Sequence, residues 1–297
     1  MAQLTQLRQK IKSIQTTKKI THAVRLVSMS LYNRMDKQDA PLKFYTQQIR
    51  HFFAKILAQN PTWQQPVLFP VDKTNANPLI IIIATSKGLC GSLNANLFRY
   101  TEATLRAENS QAPTVIAIGQ RAIKFVREQS NGTVLCTYPE LNSNNFIALA
   151  DDLIDKIINA PKTYSSVTFF HNVAPSFFMQ KPINNPLIPM RLDQLQQQSN
   201  DKNAADATEL KPLPDMIWEQ PSVDILNHLA LRYLRSSVIH LLFQSLRAEH
   251  AARFLAMENS TNNAGKYLDQ LTLQMNKLRQ SLITMEVAEL SSLAPGR

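Results

Sequence analysis

From residue 4 the apolar positions fall at Leu4, Leu7, Ile11 and Ile14, in steps of three and four, and they resume at Ile20, Val24, Val27 and Leu31. This is the spacing of one face of an α-helix. The six-residue step from Ile14 to Ile20 is one short of a heptad, so a slip in the phase of the stripe is predicted there. No Gly or Pro interrupts residues 1–40. Pro41 tolerates a bend, and Phe44, Ile49, Phe52, Phe53, Ile56 and Leu57 carry a helical pattern on to Asn60-Pro61.

The other end of the chain is longer. Between Pro221 and Pro295 there is no proline and a single glycine, Gly265. A continuous helix there would measure about 110 Å, more than a globular core can bury. From Phe254 a seam runs through Met257, Thr261, Ala264, Leu268 and Leu271, then Met275, Leu278, Leu282 and Met285, in alternating steps of three and four. That is coiled-coil spacing, and the other faces carry mixed charge. A seam needs a partner. Residues 1–58 supply one within the chain, as an antiparallel pair; homodimeric pairing of two C-terminal helices is the alternative.

The middle alternates between two periodicities. Strand-like runs are Leu79–Ala84, Thr114–Ile118, Thr133–Cys136, Val167–Phe170 and a weaker Leu187–Met190; helical patterns lie between them at Leu93–Arg106, Gln120–Arg127 and Asn145–Ile158. This predicts a small α/β domain on a largely parallel sheet. The fold class is therefore α plus α/β: a long antiparallel coiled coil of the terminal helices with an inserted small α/β (Rossmann-like) domain. The expected boundaries are 1–60 for the N-terminal helix, 76–190 for the α/β domain, 191–221 for a Gln- and Pro-containing polar linker, and 222–294 for the C-terminal helix.

Charge changes the picture at one end only. The net charge of the 297 residues is +10. Residues 1–35 hold seven of the basic side chains, including Arg8, Lys10, Lys12, Lys18, Lys19 and Arg25, and no acid, leaving +3 for the remainder. Such a segment attracts a polyanion: nucleic acid, anionic lipid or an acidic protein surface. It also has the basic, acid-poor character of an organelle transit peptide. The two cysteines, Cys90 and Cys136, make neither a disulfide framework nor a CxxC motif, and a reducing compartment is the default expectation. No apolar run reaches the roughly 18 residues of a membrane span.

Candidate chemistry is thin. The stretch Ser86-Lys87-Gly88-Leu89-Cys90-Gly91-Ser92 joins a predicted strand to a predicted helix, where backbone N–H groups can hold phosphate. It contains neither GxGxxG nor Gly-Lys-Ser/Thr, so a tight turn with Gly88 and Gly91 at positive φ is the plainer reading. The six histidines form no HExxH and no i,i+4 pair, and Glu249-His250 point from adjacent helical faces. No carboxylate pair suggests acid–base catalysis. No catalytic, cofactor-binding or metal-binding residue is expected, and a mechanical or assembly role is favoured.

Several stretches, in order, resemble the γ subunit of F-type ATP synthases. Leu7-Arg8-Gln9-Lys10-Ile11-Lys12-Ser13-Ile14 with Thr17-Lys18-Lys19-Ile20-Thr21 is similar to that family's opening. Gly88-Leu89-Cys90-Gly91 with Leu93-Asn94 is similar to its GLCG turn. Glu249-His250-Ala251-Ala252-Arg253, Met257, Asn263-Ala264-Gly265 and Asn276-Lys277-Leu278-Arg279-Gln280, followed by Ile283-Thr284, are similar to its C-terminal motifs. The resemblance spans about residues 2–295, so the basic N-terminus is expected to be mature protein.

The resemblance implies a central stalk whose coil fills a ring of alternating alpha and beta subunits, while the α/β domain joins the epsilon subunit and the membrane ring of c subunits. Active sites lie on the ring, so no active site and no cofactor are implied here, and the complex would sit peripherally on the cytoplasmic face of a bacterial inner membrane. Lys10, Lys12, Lys18, Lys19 and Arg25 would face acidic loops of beta; Arg279 and Gln280 would hydrogen-bond another beta loop; Leu290 and Leu293 would run in an apolar bearing. Departures stand at Ser86 (usually Asp), Lys87 (Arg), Asn262 (Asp), Leu278 (Ala) and Met29-Ser30-Leu31-Tyr32, where a customary Lys is missing. They suggest a divergent γ, of the kind a second, alternate F-type ATPase would carry, coupled to H+ or Na+. Two rivals are a nucleic-acid-binding coiled coil, on the strength of the basic arm, and a nucleotide-binding α/β enzyme, on the strength of the GLCG turn; no nucleic acid is expected as partner on the family reading.

Overall fold

A computed structural model describes residues 2–60, 63, 65, 68–69, 78–107, 113–129, 132–160, 164–190 and 221–293. The polar linker expected at 191–221 lies, but for Pro221, outside the described residues. The elements run α1 (Ala2–Gln59), β1 (Pro78–Ile83), α2 (Leu93–Ala107), β2 (Thr114–Ile118), α3 (Gln120–Gln129) and β3 (Thr133–Tyr138). They continue with α4 (Phe146–Ile158), β4 (Ser166–Ser176), β5 (Met179–Ile188) and α5 (Ser222–Leu293). The chain divides into two compact units, Met1–Leu31 with Arg253–Arg297, and Tyr32–Ala252.

The second unit is built on a five-stranded sheet in the order β3-β2-β1-β4-β5. β1 pairs in parallel with β2 and β4, and β2 in parallel with β3. The central strand is the Leu79–Ile83 run, buried at every one of those positions. Such continuous apolar runs mark strands covered on both faces. Alternate residues serve different layers. Leu79, Ile81, Ile83, Ile116, Ile118 and Phe169 join the large core with α4, the Met35–Ile56 stretch of α1 and the Leu226–Leu246 stretch of α5. Ile80, Ile82, Val115, Ala117 and Phe170 pack on the opposite face with Leu97 of α2 and Ala122 and Ile123 of α3.

The fifth strand departs from expectation. Only its end was predicted, as a weak run at Leu187–Met190, yet β5 spans Met179–Ile188 and pairs antiparallel with β4 as a hairpin. Pro182, Pro186, Asn184 and Asn185 hid it. Proline is tolerated there because β5 is an edge strand, whose outward N–H groups need no ladder partner. Pro41 lies inside α1, which continues through it. Phe44 and Phe52, predicted on the apolar face, are exposed.

The first unit holds Ala2–Leu31 of α1 and Arg253–Leu293 of α5. Their contacts run in opposite directions: Lys10 lies over Tyr267, Thr21 bonds Thr261, and Arg25 bonds Glu258. The α5 seam is as spaced. Met257, Thr261 and Leu271 are buried, and Phe254, Ala264, Leu268, Met275, Leu278 and Leu282 are half-buried. Met285, predicted to close the seam, is exposed. The phase slip predicted on α1 does not occur. Leu4, Leu7, Ile11 and Ile14 are half-buried, and the inner stripe continues through Lys18, Thr21, Val24 and Ser28, while Ile20 and Val27 are 57% and 59% exposed. The heptad is kept by polar residues, which an apolar template cannot see.

Candidate partner-binding surface

The five basic residues singled out on α1 fall into two sets. Lys18 and Arg25 turn inward within the first unit. A Cβ on Gly265 would lie 3.3 Å from the Lys18 ammonium, so that glycine leaves room for the lysine stem. Arg25 donates from Nη1 to the Glu258 carboxylate, and its Nη2 lies 3.1 Å from His22 Nδ1. Lys10, Lys12 and Lys19 are exposed, Lys10 with its ammonium 5.5 Å from the Tyr267 ring centroid. A cation over an aromatic face is held there by the ring quadrupole. The solvent-facing positive surface is therefore narrower than the sequence implied.

Farther along α5, Arg279 and Gln280 are both exposed. Leu290 is 69% exposed, a large apolar side chain presented to solvent. Leu293 ends the helix, and its side chain lies outside the described residues. The Glu249-His250-Ala251-Ala252-Arg253 stretch is the opposite case, with all five residues buried.

The Gly88–Gly91 turn follows β1 and leads into α2. Gly91 has φ +57° and the left-handed conformation expected of it, but the second left-handed residue is Leu89, at φ +68°, and not Gly88. Leu89 is exposed, while Cys90 is buried against Leu93 and Ala252. The turn is tied down by side chains. Asn94 Nδ2 donates to Thr85 Oγ1 at 2.8 Å and its Oδ1 accepts from Thr85 N–H at 3.2 Å. Ser86 Oγ accepts from the Leu141 N–H at 2.9 Å. Ser86, which stands where the resembling family usually has Asp, thus still supplies a hydrogen-bond acceptor. Nearby, Gly119 has φ +91°, and a Cβ there would run into the Ala84 carbonyl, so this position requires glycine.

Other polar clusters join secondary elements. Lys156 Nζ donates to Tyr138 Oη at 2.7 Å and to Asp152 at 3.0 Å, and Tyr138 donates to Asp152. The hydrogen bond from Tyr138 is the main cause of an Asp152 pKa held below the usual carboxylate range. Arg235 grips Asp151 through two bonds of 2.5 and 2.8 Å, which lowers the Asp151 pKa. Arg247, on α5, donates to Asp39 of α1 at 2.6 Å and to the Ala174 carbonyl at 2.9 Å. No local pattern signals the Arg247–Asp39 pairing, because its partners are 208 residues apart. Among the described residues no group of three His, Cys, Asp or Glu side chains could hold a metal ion, and no helix is long and apolar enough to cross a membrane.

Two long terminal helices with an α/β unit inserted between them in the sequence are also found in solved structures. The OSCP, F1 and c-ring assembly of the Euglena gracilis mitochondrial ATP synthase includes a chain that superposes with a TM-score of 0.65 at 16% identity, covering 98% of this chain and 93% of that one. A chain of the central stalk and c ring of the Tetrahymena thermophila enzyme superposes with a TM-score of 0.54 at 19% identity, covering 81% and 98%. The fold is thus the one that these chains share. The family model described as ATP synthase matches residues 3–294. The ATP synthase gamma chain of Verminephrobacter eiseniae is 31% identical over 302 residues, covering 98% of this chain and 97% of the relative. That of Legionella pneumophila is 29% identical, covering 98% of each. This chain belongs to the ATP synthase gamma-chain family, the central-stalk subunit of F-type ATP synthases. Neither the nucleic-acid reading nor the nucleotide-enzyme reading finds support among these relatives.

Proposed function

We propose that this chain couples rotation of a membrane rotor to ATP synthesis or hydrolysis on a ring of alpha and beta subunits, without an active site of its own. The observation that carries the reading is the family match over residues 3–294, which takes in both terminal helices and the α/β unit. The terminal helices, 1–60 and 222–294, act as an antiparallel coiled coil. Support comes from the opposed order of the Lys10–Tyr267, Thr21–Thr261 and Arg25–Glu258 contacts and from the half-buried seam on α5. The α/β unit at 76–190 is the foot that meets the c ring and epsilon, with 191–221 as linker, at the cytoplasmic face of a bacterial inner membrane.

Within that reading the outward cations Lys10, Lys12 and Lys19 meet acidic loops of beta. Lys18 and Arg25 act chiefly inside the pair, because their charged groups are already turned toward α5. Arg279 and Gln280 present donors to a beta loop, and Leu290 and Leu293 run in an apolar bearing. An exposed leucine suits that role, since an apolar contact is non-directional and permits sliding.

The test is reconstitution. The tagged chain is co-expressed with its host's alpha and beta subunits, the complex is isolated, and ATP hydrolysis is assayed. The expected result is a complex of all three whose sustained hydrolysis requires this chain and falls sharply when residues 280–297 are deleted. Purification of the chain alone, or with nucleic acid, while alpha and beta assemble actively without it, would overturn the reading.

A further inference from the structure

Of the outward cations Lys10, Lys12 and Lys19, Lys10 is the one that lies over an aromatic ring among the described residues. It flanks the half-buried Leu7, Ile11 and Ile14 on α1. Tyr267 flanks the half-buried Ala264 and Leu268 and the buried Leu271 on α5. Both residues therefore stand beside the apolar stripe and not within it. In coiled coils such flanking positions usually pair opposite charges. Here no carboxylate lies within ion-pair distance of Lys10 among the described residues. Arg25, farther along α1, is the contrasting case: it meets Glu258, and its charge is answered inside the pair.

An aromatic neighbour does for a lysine what a carboxylate cannot. The ring face attracts an ammonium within about 6 Å of its centroid but carries no net charge, so the cation is held and not neutralised. At 5.5 Å Lys10 meets that condition. An ammonium has three donors, and the ring occupies one side of it. Lysine is also among the side chains that lose most freedom when immobilised, so an arm already held in place loses less on meeting a partner.

We propose that Tyr267 is a positioning residue, whose aromatic face holds the Lys10 ammonium outward and charged for a carboxylate of the alpha and beta assembly. This rests on the reading of Lys10 as a partner contact. The test uses the full chain and its Lys10→Gln, Tyr267→Leu, Tyr267→Phe and combined Lys10→Gln/Tyr267→Leu variants. Each is titrated into the host's alpha and beta subunits, and the half-saturating concentration is read from sustained ATP hydrolysis. Thermal unfolding followed by circular dichroism checks that every variant is folded.

Tyr267→Leu should raise the half-saturating concentration about two- to fivefold, the size of an exposed cation–π contact. Tyr267→Phe, which keeps the ring, should restore the original value, and the combined variant should be no weaker than Lys10→Gln alone. Additive losses in the combined variant overturn the proposal, since Tyr267 would then act by packing alone. An unchanged or lower value in Tyr267→Leu also overturns it, because the ring would then be idle or would compete with the partner for the cation. A complex that forms and is indifferent to Lys10→Gln overturns this proposal and leaves the stalk reading standing; a wild-type chain that forms no complex overturns both.

Discussion

His171 sits fully buried in β4, and burial pushes its pKa down to about 4 from the ordinary 6.5, with the nearby His240 acting in the same direction. Burial also lowers the His240 pKa, against the opposing pull of Asp39 and with the help of Arg247 and Lys43. The unfolded chain therefore binds a proton between pH 6.5 and about 4 that the folded chain refuses. Stability is fully present above pH 6.5 and is lost as the pH falls through that window, by about 3 kcal/mol for His171 when the whole shift is spent. Urea midpoints measured at pH 7.5 and pH 5 should separate clearly. The gap should narrow in His171→Leu, which replaces the imidazole with an apolar side chain of similar size. An unchanged gap would mean that other groups govern the acid limb.

At the scale of elements, the Arg25–Glu258 pair joins α1 to α5 within the first unit, with both side chains partly exposed. Partly exposed pairs contribute about 0.5–1 kcal/mol, and salt weakens them. A double-mutant cycle on Arg25→Gln and Glu258→Gln, read by thermal unfolding, should give a coupling of that size that shrinks at high salt; a coupling of zero at low salt would show the contact to be idle. The pair also marks the limit of what the sequence could reveal. The α5 seam was legible because nine of its ten positions are the half-buried or buried ones. The strands β1 and β2 were legible because burial on both faces demands a nearly unbroken apolar run. The α1 stripe was misread at Ile20 because apolar spacing was followed where the structure places Lys18 and Thr21, and β5 was misread because its prolines and asparagines look like a loop. Of the proposed partner surface, the exposed Lys10, Lys12, Lys19, Arg279 and Gln280 could be nominated from family motifs alone. The inward orientation of Lys18 and Arg25 depends on Gly265 and Glu258, more than two hundred residues away, which no local pattern can signal.

Taken as a whole molecule, the chain carries two units of unequal interior. The second holds a continuous core from Met35 to Leu246, including Trp63, Phe53, Phe169 and Phe243. In the first, Met257 and Leu271 are the fully buried apolar side chains among the described residues. Apolar burial is the dominant stabilising term, at about 25 cal/mol per Å², so the two units should not share one transition. In a Trp218→Phe background, Trp63 emission reports on the second unit alone. Urea should reduce the far-ultraviolet helical signal before Trp63 emission shifts. Coincident curves would show that the two units unfold together.

Lys18 lies opposite Gly265, the single glycine in the 72 residues of α5. Sliding one helix past the other by a turn would bring Thr261 or Asp269 opposite Lys18 and separate the Thr21 and Thr261 hydroxyls, now 2.9 Å apart. A uniformly apolar interface would tolerate such a step, because one leucine fits much like the next. The polar stretch therefore works as a notch in a gear. Of the registers a turn apart, the pair of helices is thereby held to one, so a load along one helix meets a stop and not a smooth rail.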